Sequence, residues 1–326
     1  MRRLASGGAI LCYHGLTDRA WPSASLVNLP RDRFEAQVEL VRRLARIVPL
    51  SSLLEAHGAG RDTRGLVALT FDDAYASLLP SAPFLRSEQV PITVFVVAGA
   101  AETGARLWWD RIEDLFSRVS PGRWERFEAE VGLPVEYRQG QPPEYGPLRP
   151  LRQWMLAAHR GRWPAALEPV LAALEEEAGY RTAQRAMGWD ELRELCAAGP
   201  VEAGVHTWSH PVLPLLEKGE FDREVRGAWE AIRDRLPRPL PVLAVPYGLY
   251  DANTAAWAAA AGLPAALSLE PRSLRPAESG PLPRHCLTNR EPRWKLAVRL
   301  TGLAELVRRR SGSGGDPYPA LPSATT

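Results

Sequence analysis

Two short stretches of the sequence carry the residue types that metal-assisted hydrolysis needs. Asp72 and Asp73 follow one apolar run of strand length, and His206 and His210 follow another. Parallel α/β folds place their chemistry at the carboxyl ends of strands, so these side chains are expected at one edge of a sheet. One carboxylate and two imidazoles form a three-ligand site for a divalent ion, with a coordination position left for water. The second carboxylate is then available as a base, and we interpret the pattern as that of a metal-dependent hydrolase.

Each half of this pattern also has a simpler explanation. His206 and His210 share a face if the segment after the strand is helical, but they could equally be two loop histidines with ordinary hydrogen-bond partners. Asp72 and Asp73 could both cap the following helix, where carboxylates suit the exposed amides. Thr207 stands where the zinc-protease helix carries its glutamate, so any base must come from elsewhere. A two-histidine, one-carboxylate iron oxygenase has the same ligand count, although a second aspartate has no role in it.

A third strand-like run ends in Pro246-Tyr247-Gly248. Proline and glycine favour a turn at this place without any functional reason. Alternatively, the amide of Tyr247 points into the site and stabilises an oxyanion, as acyl-transfer chemistry requires.

Composition bounds the class of protein. The 326 residues are 45% hydrophobic and 24% charged, which suits one large α/β domain or one domain with an insertion. A net charge of +2 gives no support for a nucleic-acid or membrane-surface partner.

Cys12, Cys196 and Cys286 have no metal-type spacing and suit reduced thiols in a cytosol. The amino-terminal apolar segment is interpreted as a first strand, and no run approaches the ~20 residues of a membrane span, so a cytoplasmic protein without an integral membrane segment is expected.

Apolar runs of strand length alternate with helical patterns along most of the chain, which predicts parallel strand–helix–strand units. About seven such strands predict an α/β fold, and a barrel is favoured over a doubly wound sheet because three separate strand ends must converge. Between about residues 100 and 185 only helical patterns occur, which predicts a helical insertion that covers the mouth of the site. Residues 1–310 are thus assigned to the barrel and its insertion, and residues 311–326 to a disordered tail.

Three motifs in this order carry a resemblance to a known family. Thr70-Phe71-Asp72-Asp73, His206-Thr207-Trp208-Ser209-His210 and Pro246-Tyr247-Gly248 resemble the polysaccharide deacetylases, also called the NodB-homology domain or carbohydrate esterase family 4. The resemblance covers residues 8 to about 270 and is interrupted by the insertion. The first two motifs together are highly specific.

The resemblance implies a distorted (β/α) barrel with fewer strands than a full eight. It implies a divalent metal ion held by Asp73, His206 and His210, with Zn²⁺ expected and Co²⁺, Ni²⁺ or Mn²⁺ as alternatives. Asp72 would be the general base that activates a metal-bound water, whose pKa falls to roughly 7 from almost 16 in bulk. The reaction would be removal of N-acetyl groups from an aminosugar or glycan, with release of acetate.

Three further residues are expected to contact the substrate. Tyr13-His14-Gly15 is similar to a subgroup that acts in exopolysaccharide synthesis, in which such a histidine lies near the pocket, so His14 and Pro246 are expected to bind substrate. Trp108 and Trp109 begin the insertion, and adjacent helix positions cannot both face inwards. Trp109 is the candidate to line the cleft.

The sequence departs from the family in two places. Many members carry an arginine before the Pro-Tyr motif that orients the base, but this chain has Leu243-Ala244-Val245 there. Many also carry a late leucine-any-histidine motif whose histidine is the general acid. The nearest segment is Pro283-Arg284-His285-Cys286-Leu287, so Arg284 and His285 are the candidates for a catalytic proton donor.

Two other functions fit the same residues. An amide or imide hydrolase could use this scaffold on a substrate that is not a sugar. A carbohydrate-binding homologue without turnover would keep the fold, although the intact acidic and imidazole residues argue against it.

Overall fold

The structure is a computed structural model that describes residues 7–18, 27–134, 149–276, 278, 280–289 and 291–301. The predicted disordered tail, residues 311–326, lies outside the described residues. So does the part of the predicted insertion between residues 135 and 148.

Ten strands are present in the described residues, and eight of them form one curled sheet. In chain order they are β1 (Ala9–Tyr13), β2 (Leu16–Thr17), β3 (Leu29–Pro30), β4 (Arg46–Ile47), β5 (Leu66–Phe71), β6 (Ile92–Val96), β7 (Val201–Val205), β8 (Pro239–Ala244), β9 (Ala265–Leu267) and β10 (His285–Cys286). The spatial order is β10-β1-β5-β6-β7-β8-β9, with β4 added beside β5, and all pairs are parallel. A bridge between Leu267 and Leu282 connects β9 to the segment before β10 and curls the sheet towards a barrel. The predicted α/β fold with about seven parallel strands is confirmed.

Twelve α-helices are described. They are α1 (Arg31–Leu44), α2 (Leu50–Gly58), α3 (Ala82–Ser87), α4 (Ala98–Thr103), α5 (Trp108–Phe116), α6 (Pro121–Glu130), α7 (Arg149–Ala158), α8 (Glu168–Glu177), α9 (Trp189–Ala198), α10 (Lys218–Arg235), α11 (Thr254–Ala260) and α12 (Arg293–Leu300).

The sheet is buried on both faces, which explains its near-continuous apolar strands. Along β5, Val67 and Leu69 belong to an outer core packed against the helices, whereas the intervening Ala68 belongs to an inner core. The alternation follows from the period of two along a strand. Polar side chains at the strand ends are therefore held by well-packed elements.

Between β6 and β7, the described residues contain helices and no strand, as the sequence predicts for the insertion. Helices α5 to α8 have an apolar core of their own, which includes Trp124, Phe127 and Met155. The assignment of residues 1–310 to one barrel domain stays a prediction. No described helix combines the length and the apolar character needed to cross a membrane.

Candidate metal centre and active site

The ends of β5 and β7 bring three potential ligands together. Asp73 Oδ1 lies 3.6 Å from His206 Nε2 and 3.5 Å from His210 Nε2. The two Nε2 atoms lie 3.1 Å apart. All three residues are buried. Two atoms bound to one ion at about 2.0–2.1 Å in tetrahedral geometry are themselves roughly 3.3 Å apart, so this triangle has the dimensions of a ligand set.

The chemical state of these groups also fits a divalent cation. Asp73 Oδ1 is buried without a hydrogen-bond partner among the described residues, and burial raises the pKa of this carboxyl group. Burial, and next the neighbouring His206, lower the pKa of His210, so its ring is neutral as ligation requires. His206 Nδ1 donates to the carbonyl oxygen of Ala244 at 2.8 Å, which leaves the Nε2 lone pair towards the triangle.

The segment from His206 to His210 is not the helix that the sequence reasoning considered. It is an irregular loop, in which Thr207 and His210 have φ angles of 65° and 58°. Asp73 and Tyr247 have φ angles of 66° and 58°. Non-glycine residues rarely adopt positive φ, and such strain persists where the surrounding structure fixes it, often at functional sites. The loop, not helical spacing, brings both rings to one point.

Glu224 on α10 holds this loop in place. Its carboxylate accepts hydrogen bonds from the amides of Trp208 and Ser209 at 3.1 and 2.8 Å and from Ser209 Oγ at 2.7 Å. Arg162 Nη2 donates to the same carboxylate at 2.7 Å. Glu224 therefore holds the loop that carries His210 through several hydrogen bonds to one side chain.

We expect Glu224→Gln to weaken ion binding about 10- to 100-fold, because supporting residues that orient ligands typically contribute that much. Glutamine has one acceptor oxygen and no charge, so it cannot satisfy both amides and the guanidinium. Competition with a chromogenic chelator measures the affinity. Glu230→Gln, at an exposed position of the same helix, is the matched control and should leave affinity unchanged. Equal affinities in the two variants would remove the positioning role.

Asp72 lies beside the triangle and is paired with Arg284. Arg284 Nη1 and Nη2 donate to Asp72 Oδ1 and Oδ2 at 2.7 and 2.8 Å, and both side chains are buried. Burial alone would raise the pKa of Asp72, but Arg284 and then His206 hold it well below its usual range. Asp72 is therefore an ionised carboxylate with a fixed orientation.

Arg284 thus has a different role from the one considered from sequence. Its pKa is raised by Asp72 against the effect of burial, so it keeps its proton and is no acid. It also donates through Nε to the carbonyl oxygen of Ser268 at 3.0 Å. Arg284 thus orients Asp72 from after β9, whereas the resemblance implies an arginine just before Pro246, where this chain has Val245. The sequence shows an arginine just ahead of a short strand, but it does not show that the partner of this arginine is Asp72, which lies 212 positions away.

The short strand that follows Arg284, β10, determines where His285 and Cys286 lie. Cys286 groups with Cys12 and His14, whose sulfur and nitrogen atoms all lie within 4.8 Å of one another. His285 is buried and is the register partner of Leu11, which belongs to the outer core, so its side chain leaves the sheet on the opposite face from Cys286. This placement does not support His285 as a proton donor at Asp72, and that role stays a prediction.

His14 lies near the carboxylates of the site. Cys12 Sγ, which belongs to the same group, is 3.4 Å from Asp72 Oδ2. Burial lowers the pKa of His14, but a hydrogen bond to Cys286, together with the negative charges of Cys286, Asp72 and Asp73, outweighs burial and raises the pKa to about 9. His14 is therefore an imidazolium near neutral pH.

Aromatic residues border the site next to His210. The rings of Trp109 and Tyr247 lie 4.6 and 4.5 Å from the ring of His210, measured between centroids. Tyr247 OH donates to the carbonyl oxygen of Gly161 at 3.0 Å, and a Cβ at that glycine would lie 2.8 Å from the tyrosine ring. Pro246 is buried at the start of the same turn. The insertion therefore borders the site through Trp109 and Gly161.

Comparisons with known proteins agree with this architecture. The model of the polysaccharide deacetylase family matches residues 160–266, which include both histidines and the Pro-Tyr-Gly turn. The deacetylase PplD of Streptococcus pyogenes, solved in complex with acetate, is similar with a TM-score of 0.58 at 15% identity, covering 90% of this chain and 97% of PplD. IcaB of Ammonifex degensii is similar with a TM-score of 0.59 at 18% identity, covering 91% and 98% of the two chains.

A de-N-acetylase from Aggregatibacter actinomycetemcomitans gives a TM-score of 0.53 at 13% identity, covering 87% of this chain and 96% of its own. Comparison with curated proteins gave no significant match. At these identities the solved structures establish the fold. Together with the family match they confirm the resemblance to polysaccharide deacetylases that the motifs indicate.

Proposed function

We propose that this chain, whose residues 160–266 match the polysaccharide deacetylase family, is an enzyme that removes N-acetyl groups from an aminosugar or glycan with the help of a divalent ion. The family match supports deacetylation of a glycan as the broad activity. One observation carries the finer proposal: a triangle of Asp73, His206 and His210 lies beside a second, ion-paired carboxylate that is no part of it.

Asp73, His206 and His210 would hold the ion. A divalent ion bound there would polarise the acetyl carbonyl and make water at the site more acidic. The oxygen and nitrogen donors suit Zn²⁺, and imidazole and carboxylate ligands also accept Co²⁺, Ni²⁺ or Mn²⁺.

Asp72 takes the proton of the attacking water. A carboxylate with a depressed pKa is by itself a weak base, and it suffices because the water is acidified at the site. The bidentate pair with Arg284 keeps both carboxylate oxygens in one plane and one direction. Transfer of the proton therefore needs no reorientation of the base.

His14 supplies a proton to the departing amine. Its pKa of about 9 keeps it protonated near neutral pH, which a general acid requires, and it lies in the group of side chains that contacts Asp72. The backbone of Tyr247 contributes to an oxyanion site, and Pro246 and Trp109 border the bound sugar. The site thus has a base, an acid and an apolar wall.

Acetate release from N-acetylated sugars tests the proposal. The full chain is incubated with N-acetylglucosamine, its oligomers and an N-acetylated polymer, and free acetate and free amine are measured. We expect equal amounts of both, loss of release with a chelator, and recovery when Zn²⁺, Co²⁺, Ni²⁺ or Mn²⁺ is added back. An ion-loaded chain that releases acetate from none of these sugars, but hydrolyses a cyclic amide or imide, would favour the other class of substrate.

A further inference from the structure

A pair of cysteines lies at the edge of the site. Cys12 on β1 and Cys286 on β10 are register partners in the parallel sheet, so their side chains leave the same face at the same level. Neighbouring strands lie about 4.7–4.9 Å apart, which falls within the Cα separation that disulfides span. The two sulfur atoms lie within 4.8 Å of each other. In this structure both are free thiols.

We propose that Cys12 and Cys286 form a reversible disulfide under oxidising conditions, a modification site that lies directly beside Asp72. The contact between Cys12 Sγ and Asp72 Oδ2, 3.4 Å long, places any change at this sulfur against the carboxylate.

The two thiols differ in the way that a redox-sensitive pair requires. A hydrogen bond from Cys12 lowers the pKa of Cys286 to about 5, with a further contribution from His14 and against the effect of burial. Burial raises the pKa of Cys12 well above its usual value. Cys286 is half-buried and Cys12 is fully buried. Oxidant-sensitive cysteines are accessible thiolates with a second thiol poised next to them, so Cys286 is the attacking sulfur and Cys12 the resolving one.

Hydrogen peroxide is a sufficient oxidant. The Cys286 thiolate attacks one peroxide oxygen, the O–O bond breaks, and a sulfenic acid forms with loss of hydroxide. The sulfur of Cys12 then attacks the sulfenic sulfur, the S–O bond breaks, and a second hydroxide leaves. The proton of the Cys12 thiol converts one hydroxide into water, and the proton that Cys286 released when it ionised converts the other. Two thiols and one peroxide therefore give one disulfide and two waters.

Oxidation changes the surroundings of Asp72 and His14, the proposed general base and general acid. The disulfide removes the S–H group near Asp72 and the thiolate that faces His14. Without that thiolate, burial lowers the pKa of His14 and only Asp72 and Asp73 still raise it, so the pKa falls and less imidazolium is present at neutral pH. On the proposed function, the oxidised chain therefore releases acetate more slowly, and a thiol reductant restores the rate.

Thiol counting tests the site without any assay of catalysis. The full chain, which has three cysteines, is treated with hydrogen peroxide, denatured, and titrated for free thiols, and its peptides are mapped. We expect three free thiols to fall to one, a linked peptide pair containing Cys12 and Cys286, and recovery of all three thiols with dithiothreitol. Cys286→Ser and Cys286→Ala should give no intramolecular disulfide.

Cys196 is the matched control. It is buried in the outer core, and burial raises its pKa to about 12, so Cys196→Ala should leave formation of the disulfide unchanged. A folded chain that keeps three thiols in peroxide, links Cys196, or loses thiols beyond recovery by dithiothreitol overturns the proposal. So does binding of a second Zn²⁺ per chain that depends on Cys286 and protects both thiols. Thiol counts and acetate release are separate readouts, so failure of one leaves the other interpretable.

Discussion

Asp73→Ala should abolish both ion binding and acetate release, whereas Asp72→Asn should keep the ion and lose turnover. The two residues are adjacent in sequence, but only Asp73 faces the Nε2 atoms of both histidines. Asp72 instead is paired with Arg284. Removing a general base typically costs about 10²- to 10⁴-fold in rate, and asparagine keeps the shape of the side chain without its basicity.

The measurement pairs metal content, by elemental analysis after gel filtration, with the rate of acetate release. Asp190→Asn is the matched control, because its carboxylate is exposed and paired only at the surface. Retention of full activity by Asp72→Asn would remove the base assignment. One equivalent of tightly bound ion in Asp73→Ala would remove this residue from the ligand set. Thermal unfolding of each variant establishes that the chain remains folded.

The fold and the cluster of four polar residues were predictable for the same reason. Apolar runs of strand length, separated by helical periods, fix a parallel sheet, and the residues that follow such runs lie at its carboxyl edge. Asp72, Asp73, His206 and His210 all occupy such positions. The structure confirms the fold and brings Asp73, His206 and His210 within ligand distance of one another with Asp72 beside them, while the individual roles of the four residues stay proposals.

The rest of the site depends on pairings that sequence patterns do not contain. Cys286 belongs to a strand of two residues, His285–Cys286, and Arg284 directly precedes it. This strand is too short to show a period, and it pairs with β1, far away in the sequence. Nothing local indicates that Arg284 contacts Asp72 or that Cys286 contacts Cys12. The helical spacing considered for His206 and His210 was wrong, because residues with positive φ turn the chain instead.

Arg284→Met should destabilise the chain by about 3–5 kcal/mol, because it leaves the Asp72 carboxylate buried without its partner. The wild-type pKa of Asp72 is depressed, so the pair's contribution to stability is present above the unfolded-state pKa of about 3.9 and is lost only as pH falls through the lower folded-state value. In Arg284→Met, burial dominates and the pKa of Asp72 rises relative to the wild type. The variant's deficit should therefore be largest near neutral pH and shrink as the solution becomes acidic.

Urea unfolding of the chelated protein at several pH values between about 4 and 7 measures this difference. Arg193→Met is the matched control, since Arg193 pairs with Asp190 while the two side chains are 50% and 94% exposed. Exposed pairs contribute about 0–1 kcal/mol, so this variant should stay close to the wild type at every pH. Equal losses in the two variants, or a deficit that does not change with pH, would show that Arg284 does not hold Asp72 in its ionised form. If Arg284→Met stays folded but shows a raised pKa of Asp72 and slow acetate release, then Arg284 is needed for Asp72 to act as the base.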